Sequence, residues 1–394
     1  MPKSADQSLV RQTNQRAVLE TIYKNGPISR AELARTLSMS KPTSSSNINQ
    51  LIELGVIREV MATDRHPGVG RQPVLVDFNE KLRYIFAIDL NYQDPIFSIM
   101  NLKGEILDIQ NVKLSERIIR EMPSIIEKLL LKNNIVPDEM FCIGVSSPGM
   151  FTENGRLYSL HTKYKSWYKG DLASELSQRF GVPVYIKNDA NAGAVGELLF
   201  GAGVGLNDFI YLSCGVGLGA GIILNGKLYE SGYRQAGDIS YYTDRQKLGI
   251  SESVEDNVCI SGFLKSVRSK AAYGSQLSAL AADDRHFSDV VAAYAERDPL
   301  VVSAVRDTAE EIACMAMGLS GFLGIGHIIF GGEYIVFQDE MLSVASNVFE
   351  RYRHPCKIIT AKLARYAGLY GVFGIARERL FEKICLQPLE FLSR

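Results

Sequence analysis

The sequence predicts an α/β protein in two parts, a small helical front and a large mixed body. Two patterns predict it. Within the first sixty residues, apolar side chains recur at the three- and four-residue spacing of short helices. From Tyr84 onward, short apolar runs alternate with amphipathic stretches, the rhythm of strands and helices packed in layers. A chain of 394 residues accommodates both parts at roughly 100–200 residues per domain.

The front comes first in the chain. A helix is expected from about Thr13 to Lys24, with Val18, Leu19, Ile22 and Tyr23 on one face, and Asn25-Gly26-Pro27 stops it. Ser29 and Glu32 form a capping-box pair at the start of a second helix that buries Leu33 and Leu37. Ser40 caps a third, with Pro42 in its first turn, where a missing N–H costs nothing. Ile48, Leu51, Ile52 and Leu54 give that helix its apolar stripe, and Gly55 closes it. Helix, tight turn and helix of these lengths make a helix-turn-helix, whose second helix enters the major groove. Lys41, Thr43, Ser44, Ser45 and Asn47 stand at its start as hydrogen-bonding candidates for DNA, or else as an ordinary solvated face. Val56–Val60 and Val74–Phe78 read as two strands around a wing, Arg65 to Pro73. Arg71, held between Gly70 and Gln72-Pro73, suits a narrow, negative minor groove. Charge agrees. Residues 1–76 hold ten Lys/Arg against six Asp/Glu, a surplus of four, whereas the whole chain has a formal net charge of −1.

The body reads as strands at Tyr84–Leu90, Ile96–Asn101, Ile106–Val112, Phe141–Val145 and Val184–Ile186, with helices over Arg120–Asn133 and Leu172–Phe180. Strands at Phe209–Ser213 and Gly219–Leu224 bracket a Gly-rich turn. A helix-rich stretch over Ser251–Leu323 precedes a strand at Ile328–Phe330. The apolar run from Ile312 to Gly332 is long enough to span a membrane, but its glycines and His327 favour a buried helix passing into a buried strand. Six cysteines without a C-x-x-C pair read as buried thiols of a reducing compartment, and the polar N-terminus shows no secretion signal. A cytoplasmic location without membrane contact is the expectation.

Several short motifs, in their order and spacing, resemble the ROK family of repressors, open reading frames and kinases. They are Ser40-Lys41-Pro42-Thr43, Gly70-Arg71-Gln72-Pro73, Ser147-Pro148-Gly149, Asn188-Asp189-Ala190-Asn191 with Gly196-Glu197, Gly217-Leu218-Gly219-Ala220-Gly221 and Asn225-Gly226-Lys227-Leu228. The resemblance is to the repressor branch with an N-terminal winged helix-turn-helix, and covers about residues 10 to 380. It implies an actin-like, ribonuclease H-like body of two lobes with a sugar site between them. The winged helix is then expected over 1–80 and the sugar-binding domain over 81–394. Lobe one would comprise about 81–195 plus the C-terminal helix, and lobe two about 196–375.

The resemblance also assigns roles. Asp189 matches the catalytic base of the family's kinases and Asn188 its sugar-binding neighbour, although Asp-Ala-Asn also suits a helix cap. The nucleotide cradle departs from the pattern. Where the kinases resemble Asp-x-Gly-Gly-Thr, this chain has Asp89-Leu90-Asn91-Tyr92-Gln93, followed by Asp94. Where they have Gly-Thr-Gly, it has Gly215-Val216-Gly217. Lost glycines and a lost hydroxyl imply lost phosphoryl transfer, so no enzyme is expected. The family's zinc-binding His and three Cys are absent, with Tyr241 at the His position, so neither metal nor cofactor is expected. Gly149, Asn188, Asp189, Asp238, Tyr241 and Glu252 are the expected sugar-site residues, with Tyr241 either against the sugar ring or filling the core in place of zinc. The implied function is a sugar-responsive regulator, expected to repress carbohydrate-metabolism genes. Its partners would be a double-stranded DNA operator and a sugar or sugar derivative. Matching two half-sites calls for a homodimer or homotetramer. Cleft closure is expected to re-aim the winged helix through a linker at Asn79–Arg83. The competing expectations are a sugar kinase with an appended DNA-binding head and a ligand-independent DNA-binding scaffold.

Overall fold

The computed structural model of the chain describes residues 3–61, 74–91, 94–151, 157–159, 170–230, 236–239, 253–271 and 287–386. The front is a three-helix unit, α1 (Lys3–Asn25), α2 (Arg30–Thr36) and α3 (Lys41–Glu53). Strand β1 (Ile28–Ser29) pairs with β3 (Val74–Phe78), which pairs antiparallel with β2 (Ile57–Met61). This is the winged helix-turn-helix. The Ser29 hydroxyl accepts from the Glu32 N–H at 3.1 Å and Ser40 from the Thr43 N–H, so both serines cap as their positions imply. The first helix begins ten residues before the expected start. That added stretch contains no breaker, and its Leu9 and Val10 are exposed, so apolar spacing could not mark it.

The body contains two five-stranded sheets of one design. In the first, β4 (Tyr84–Asp89), β5 (Ile96–Asn101) and β6 (Ile106–Asn111) form an antiparallel meander. Then β7 (Met140–Ser147) and β10 (Val184–Asn188) add in parallel on the other side of β4. A small separate pair, β8 (Met150–Phe151) and β9 (Leu157–Ser159), lies between them in sequence. In the second sheet, β11 (Phe209–Cys214), β12 (Leu218–Leu224) and β13 (Lys227–Leu228) form the meander. There β14 (His327–Gly331) and β15 (Lys357–Thr360) add in parallel beside β11. Both sheets thus place their successive strands in the order 3-2-1-4-5, the duplicated arrangement of an actin-like, ribonuclease H-like body.

Helices α4 (Ile118–Lys132) and α5 (Leu172–Phe180) cover one face of the first sheet, burying Ile118, Met122, Ile126 and Leu176 against Phe86, Ile88 and Ile143. On the other face lie α6 (Asp189–Phe200) and the C-terminal helix Ala367–Leu386. Glycines let these two cross backbone to backbone. A Cβ on Gly371 would run into the Ala192 carbonyl, and one on Gly196 into the Ala367 carbonyl. The long helix Pro299–Leu323 ends at left-handed Gly324 and leads into β14, so the apolar run is helix followed by buried strand. No helix among the described residues is long and apolar enough to cross a membrane. All six cysteines are free; Cys314 is exposed and the other five are buried.

The front is not tethered loosely. Val18, Leu19, Ile22 and Phe78 belong to the same apolar core as Ile85, Phe373, Leu380 and Phe381 of the body. Across this joint Arg16 of α1 binds Glu378 of the C-terminal helix at 2.6 Å and lies over Phe381. The expected linker is pinned on both sides. Asn79 bonds to Gly55 and Val56, Arg58 pairs with Glu80, Leu102 N–H donates to Glu80, and Arg83 bonds to the Asp138 carbonyl. A segment so fully bonded is a joint, and swivelling at 79–83 alone would break those contacts.

Candidate functional site

The front presents one helix for DNA. On α3, the exposed stripe runs through Lys41, Pro42, Ser46, Asn49 and Glu53, with Thr43 and Ser45 half-buried beside it. Ser44 and Asn47 are buried, which corrects their expected exposure to bases. They stand four residues before Ile48 and Leu51, so helical spacing puts all four on the core face. Asn47 spends an amide N–H on the Thr43 carbonyl at 2.9 Å, and the Ser44 hydroxyl finds no partner among the described residues. Ser46 and Asn49 were not among the sequence-based candidates. Asn49 accepts from Arg30 at 2.8 Å, and Arg30 also pairs with Glu59 of β2, locking α2, α3 and the wing sheet together. Arg71 lies outside the described residues.

The candidate site lies at the carboxyl ends of the parallel strands, where open α/β sheets gather ligands. β7 and β10 end in register, Ser147 opposite Asn188, so the two chain turns meet. Asn188 caps α6, its Oδ1 accepting the Asn191 N–H at 3.2 Å, while its amide Nδ2 donates to the Gly149 carbonyl at 3.1 Å. Gly149 holds φ +94°, which places that carbonyl toward Asn188. Asp189 follows at the mouth of α6, its Oδ1 accepting the Ala190 N–H at 2.9 Å. Asn188 and Asp189 therefore cap and open α6, and Gly149 is joined to them.

Asp89, at the end of β4, and Glu333, just past the Gly331-Gly332 turn after β14, lie close enough to Asp189 to feel its charge. Burial pushes the Asp89 carboxyl up to about 7 against the opposing hydrogen bond from Ser146, with Asp189 and Glu333 pushing it further. Burial likewise raises Glu333 to about 7 and raises Asp189. Burial and mutual repulsion therefore disfavour full ionisation of these three carboxyl groups together. Tyr211 lies buried between Gly193 and Gly331, its phenol pushed above the ordinary range by burial first, then by Glu197, and after it by these three acids. Glu333 and Tyr211 escaped the sequence reading. Glu333 directly after a Gly-Gly strand end was its one visible signal.

The glycines of Gly217-Leu218-Gly219-Ala220-Gly221 have a packing reason. Cβ atoms at Gly219 and Gly221 would crowd Ala190 and Ala194 of α6, so their absence lets β12 lie against the site helix. Asp238 forms an isolated antiparallel bridge with Gly219 of β12. Tyr241 and Glu252 lie outside the described residues. In the first hairpin turn the Asn91 side chain accepts the Asp94 N–H at 3.0 Å and so closes the turn upon itself. Glu197, fully buried on α6, accepts from Ala202 at 2.6 Å, Lys362 at 3.1 Å and Leu363 at 2.8 Å, joining α6 to the chain after β15. That work is structural.

A winged helix-turn-helix fused to a duplicated two-lobed body with carboxyl groups gathered at its strand ends defines a DNA-binding regulator built on a sugar-kinase-type fold. Comparison with known proteins agrees. The winged helix-turn-helix DNA-binding pattern matches residues 11–58, and the ROK family pattern matches residues 85–379. The chain belongs to the ROK family. It is similar to a xylose repressor of Caldicellulosiruptor bescii, at 29% identity across 93% of this chain and 96% of that protein. A xylose repressor of Bacillus spizizenii is 34% identical over a shorter stretch, 61% of this chain and 62% of that one. Among solved structures, a ROK family transcriptional regulator described as a homologue of the Escherichia coli MLC protein superposes with TM-score 0.78. It covers 98% of this chain and 100% of its own at 20% identity, a likeness of fold.

Proposed function

We propose that the chain is a sugar-responsive repressor in which the cleft at Asn188 and Asp189 reads a sugar and the winged helix reads an operator. The observation that carries this is the continuous packing between the two ends. Asn188 and Asp189 open α6, α6 crosses the C-terminal helix backbone to backbone at Gly196 and Gly371, and that helix carries α1. Arg377 bridges the far end of the path. Its guanidinium lies 5.2 Å from the ring of Tyr23 on α1 and 5.7 Å from that of Phe200 at the end of α6. A sugar that prefers one setting of α6 shifts the winged helix with it, by its differential affinity for the two settings.

Gly149, Asn188, Asp189 and Asp238 form the described part of the proposed sugar site, completed by Tyr241 and Glu252. Lys41, Thr43, Ser45, Ser46 and Asn49, with Arg71 on the wing, form the proposed DNA face. The Asn91-closed first turn and the missing hydroxyl at Val216 support a sensor that transfers no phosphate. The division falls near residue 80, with a cytoplasmic homodimer or homotetramer matching paired half-sites. The relatives' name makes xylose the first sugar to test. Fluorescence anisotropy of a labelled operator duplex, titrated with the full chain, is expected to show affinity falling on the order of tenfold at saturating sugar. No change with any pentose or hexose would refute the sensing role.

A further inference from the structure

The turn between β11 and β12, residues Gly215–Gly217, is where the family resemblance places a nucleotide phosphate. Free N–H groups in such a glycine-rich turn bind anions. Here carboxyl groups of the chain itself already lie at the turn. The Leu218 N–H donates to Glu255 Oε1 at 3.1 Å, and the Glu333 carboxyl group lies against Gly215, near enough to the Val216 N–H to be stabilised by it. Glu333 presses so closely upon Gly215 that a Cβ there would fall inside its carboxylate. Glu255 approaches Gly217 less closely, its Oε1 3.1 Å from where a Cβ would lie, a tight contact and not an overlap. The delivery of Glu333 is built into the backbone. Gly332, at φ +84°, lies against the backbone of Cys214, a conformation and an approach that a side chain would block. The turn after β14 therefore drops Glu333 onto the end of β11.

We propose that Glu333 is an internal stand-in for phosphate, and that by occupying the Gly215–Gly217 turn it makes the cleft select uncharged sugars over phosphorylated ligands. A phosphate arriving at this turn meets a donor already engaged. It must also displace one carboxylate while Asp89 and Asp189 stand in the same field, so occupancy and charge oppose it together. A neutral sugar seated at Asn188 and Asp189 needs nothing from the turn. This inference rests on the reading of the cleft as a sugar site, and it names the class of ligand that site refuses.

The test uses the full chain and isothermal titration with Mg-ADP, inorganic phosphate and xylose. The wild-type protein is expected to bind Mg-ADP and phosphate more weakly than about 1 mM. Glu333→Ala, which frees the turn and removes the charge, is expected to gain at least about tenfold in Mg-ADP affinity. Glu333→Gln keeps an acceptor for Val216 without the charge, and is expected to fall between the two. Glu310→Ala, an exposed carboxylate on the long helix, controls for net charge and is expected to change nothing. Tight Mg-ADP binding by the wild-type chain would overturn the proposal. So would equal affinities for wild type and both variants, with circular dichroism showing all three folded. Xylose affinity is read separately in each protein. Its absence throughout would count against the sugar site, whereas a gain for Mg-ADP in Glu333→Ala would still stand for the turn.

Discussion

The two lobes share one strand order but treat their first hairpin turns differently. In lobe one, Asn91 folds back on its own turn and Asp89 stands buried at the end of β4. In lobe two, the equivalent turn stays glycine-rich and is held by carboxylates from elsewhere, Glu333 and Glu255. One lobe altered the loop and the other filled it. Topology fixes where these turns lie, since both follow strand 1 of a 3-2-1-4-5 sheet. The side chains arriving there decide what the turns can hold. The neighbouring end of β10 carries Asn188 and Asp189 at the start of α6, the pair on which the proposed sugar site rests.

The contrast can be broken most severely at Glu197, where α6 is joined to the chain after β15. Glu197→Ala would leave three N–H groups without their acceptor in a buried site. At about 1–3 kcal/mol for each orphaned group, a loss on the order of 3–5 kcal/mol is expected, read as a fall in the urea midpoint. A loss under about 1 kcal/mol would show that the lobes do not depend on this junction.

Acidity offers a second, graded handle. Asp89 and Glu333 titrate near 7 in the folded chain, against 3.8 and 4.5 for the free groups. Between about 4 and 7 the native chain holds protons that the unfolded chain has released. Stability therefore falls as pH rises through that window, by up to about 1.4 kcal/mol per pH unit for each group, and levels off above it. Urea midpoints at pH 5 and pH 8 check the direction, and Glu333→Gln should flatten the slope. A midpoint that rises with pH across this window would contradict the buried, crowded placement of these acids.

The smallest expected effects lie at the front. Asn49→Ala should weaken operator binding several-fold, since Asn49 is on the exposed stripe. Ser44→Ala should leave it within about twofold, because that hydroxyl is buried behind the helix. Anisotropy on the same duplex compares the two, and the reverse order would mean that α3 presents its other face.

Much of this was legible in the sequence. Caps at Ser29 and Ser40, the stops at Gly26 and Gly55, and most strand positions follow from local chemistry acting within a few residues. Asn188 and Asp189 were visible as a pair because a strand end and a helix cap coincide there. Ser44 and Asn47 were misplaced because their polarity was weighed above their spacing from Ile48 and Leu51. Glu333 was invisible for another reason. Its role depends on a turn more than a hundred residues earlier, which only the parallel pairing of β11 with β14 brings beside it. The joint between front and body was hidden likewise, since α1 and the C-terminal helix stand at opposite ends of the chain.

The central claim is that cleft and DNA-binding head communicate through α6, the C-terminal helix and α1. Arg377→Met removes the cation lying over Tyr23 and Phe200 while keeping an apolar filler. The measurement is the ratio of operator affinities without and with saturating sugar, by anisotropy, in wild type and variant. The account predicts a ratio on the order of tenfold in wild type, falling toward about one in Arg377→Met, while sugar affinity and sugar-free operator affinity each stay within about threefold. A variant that kept the wild-type ratio would contradict it.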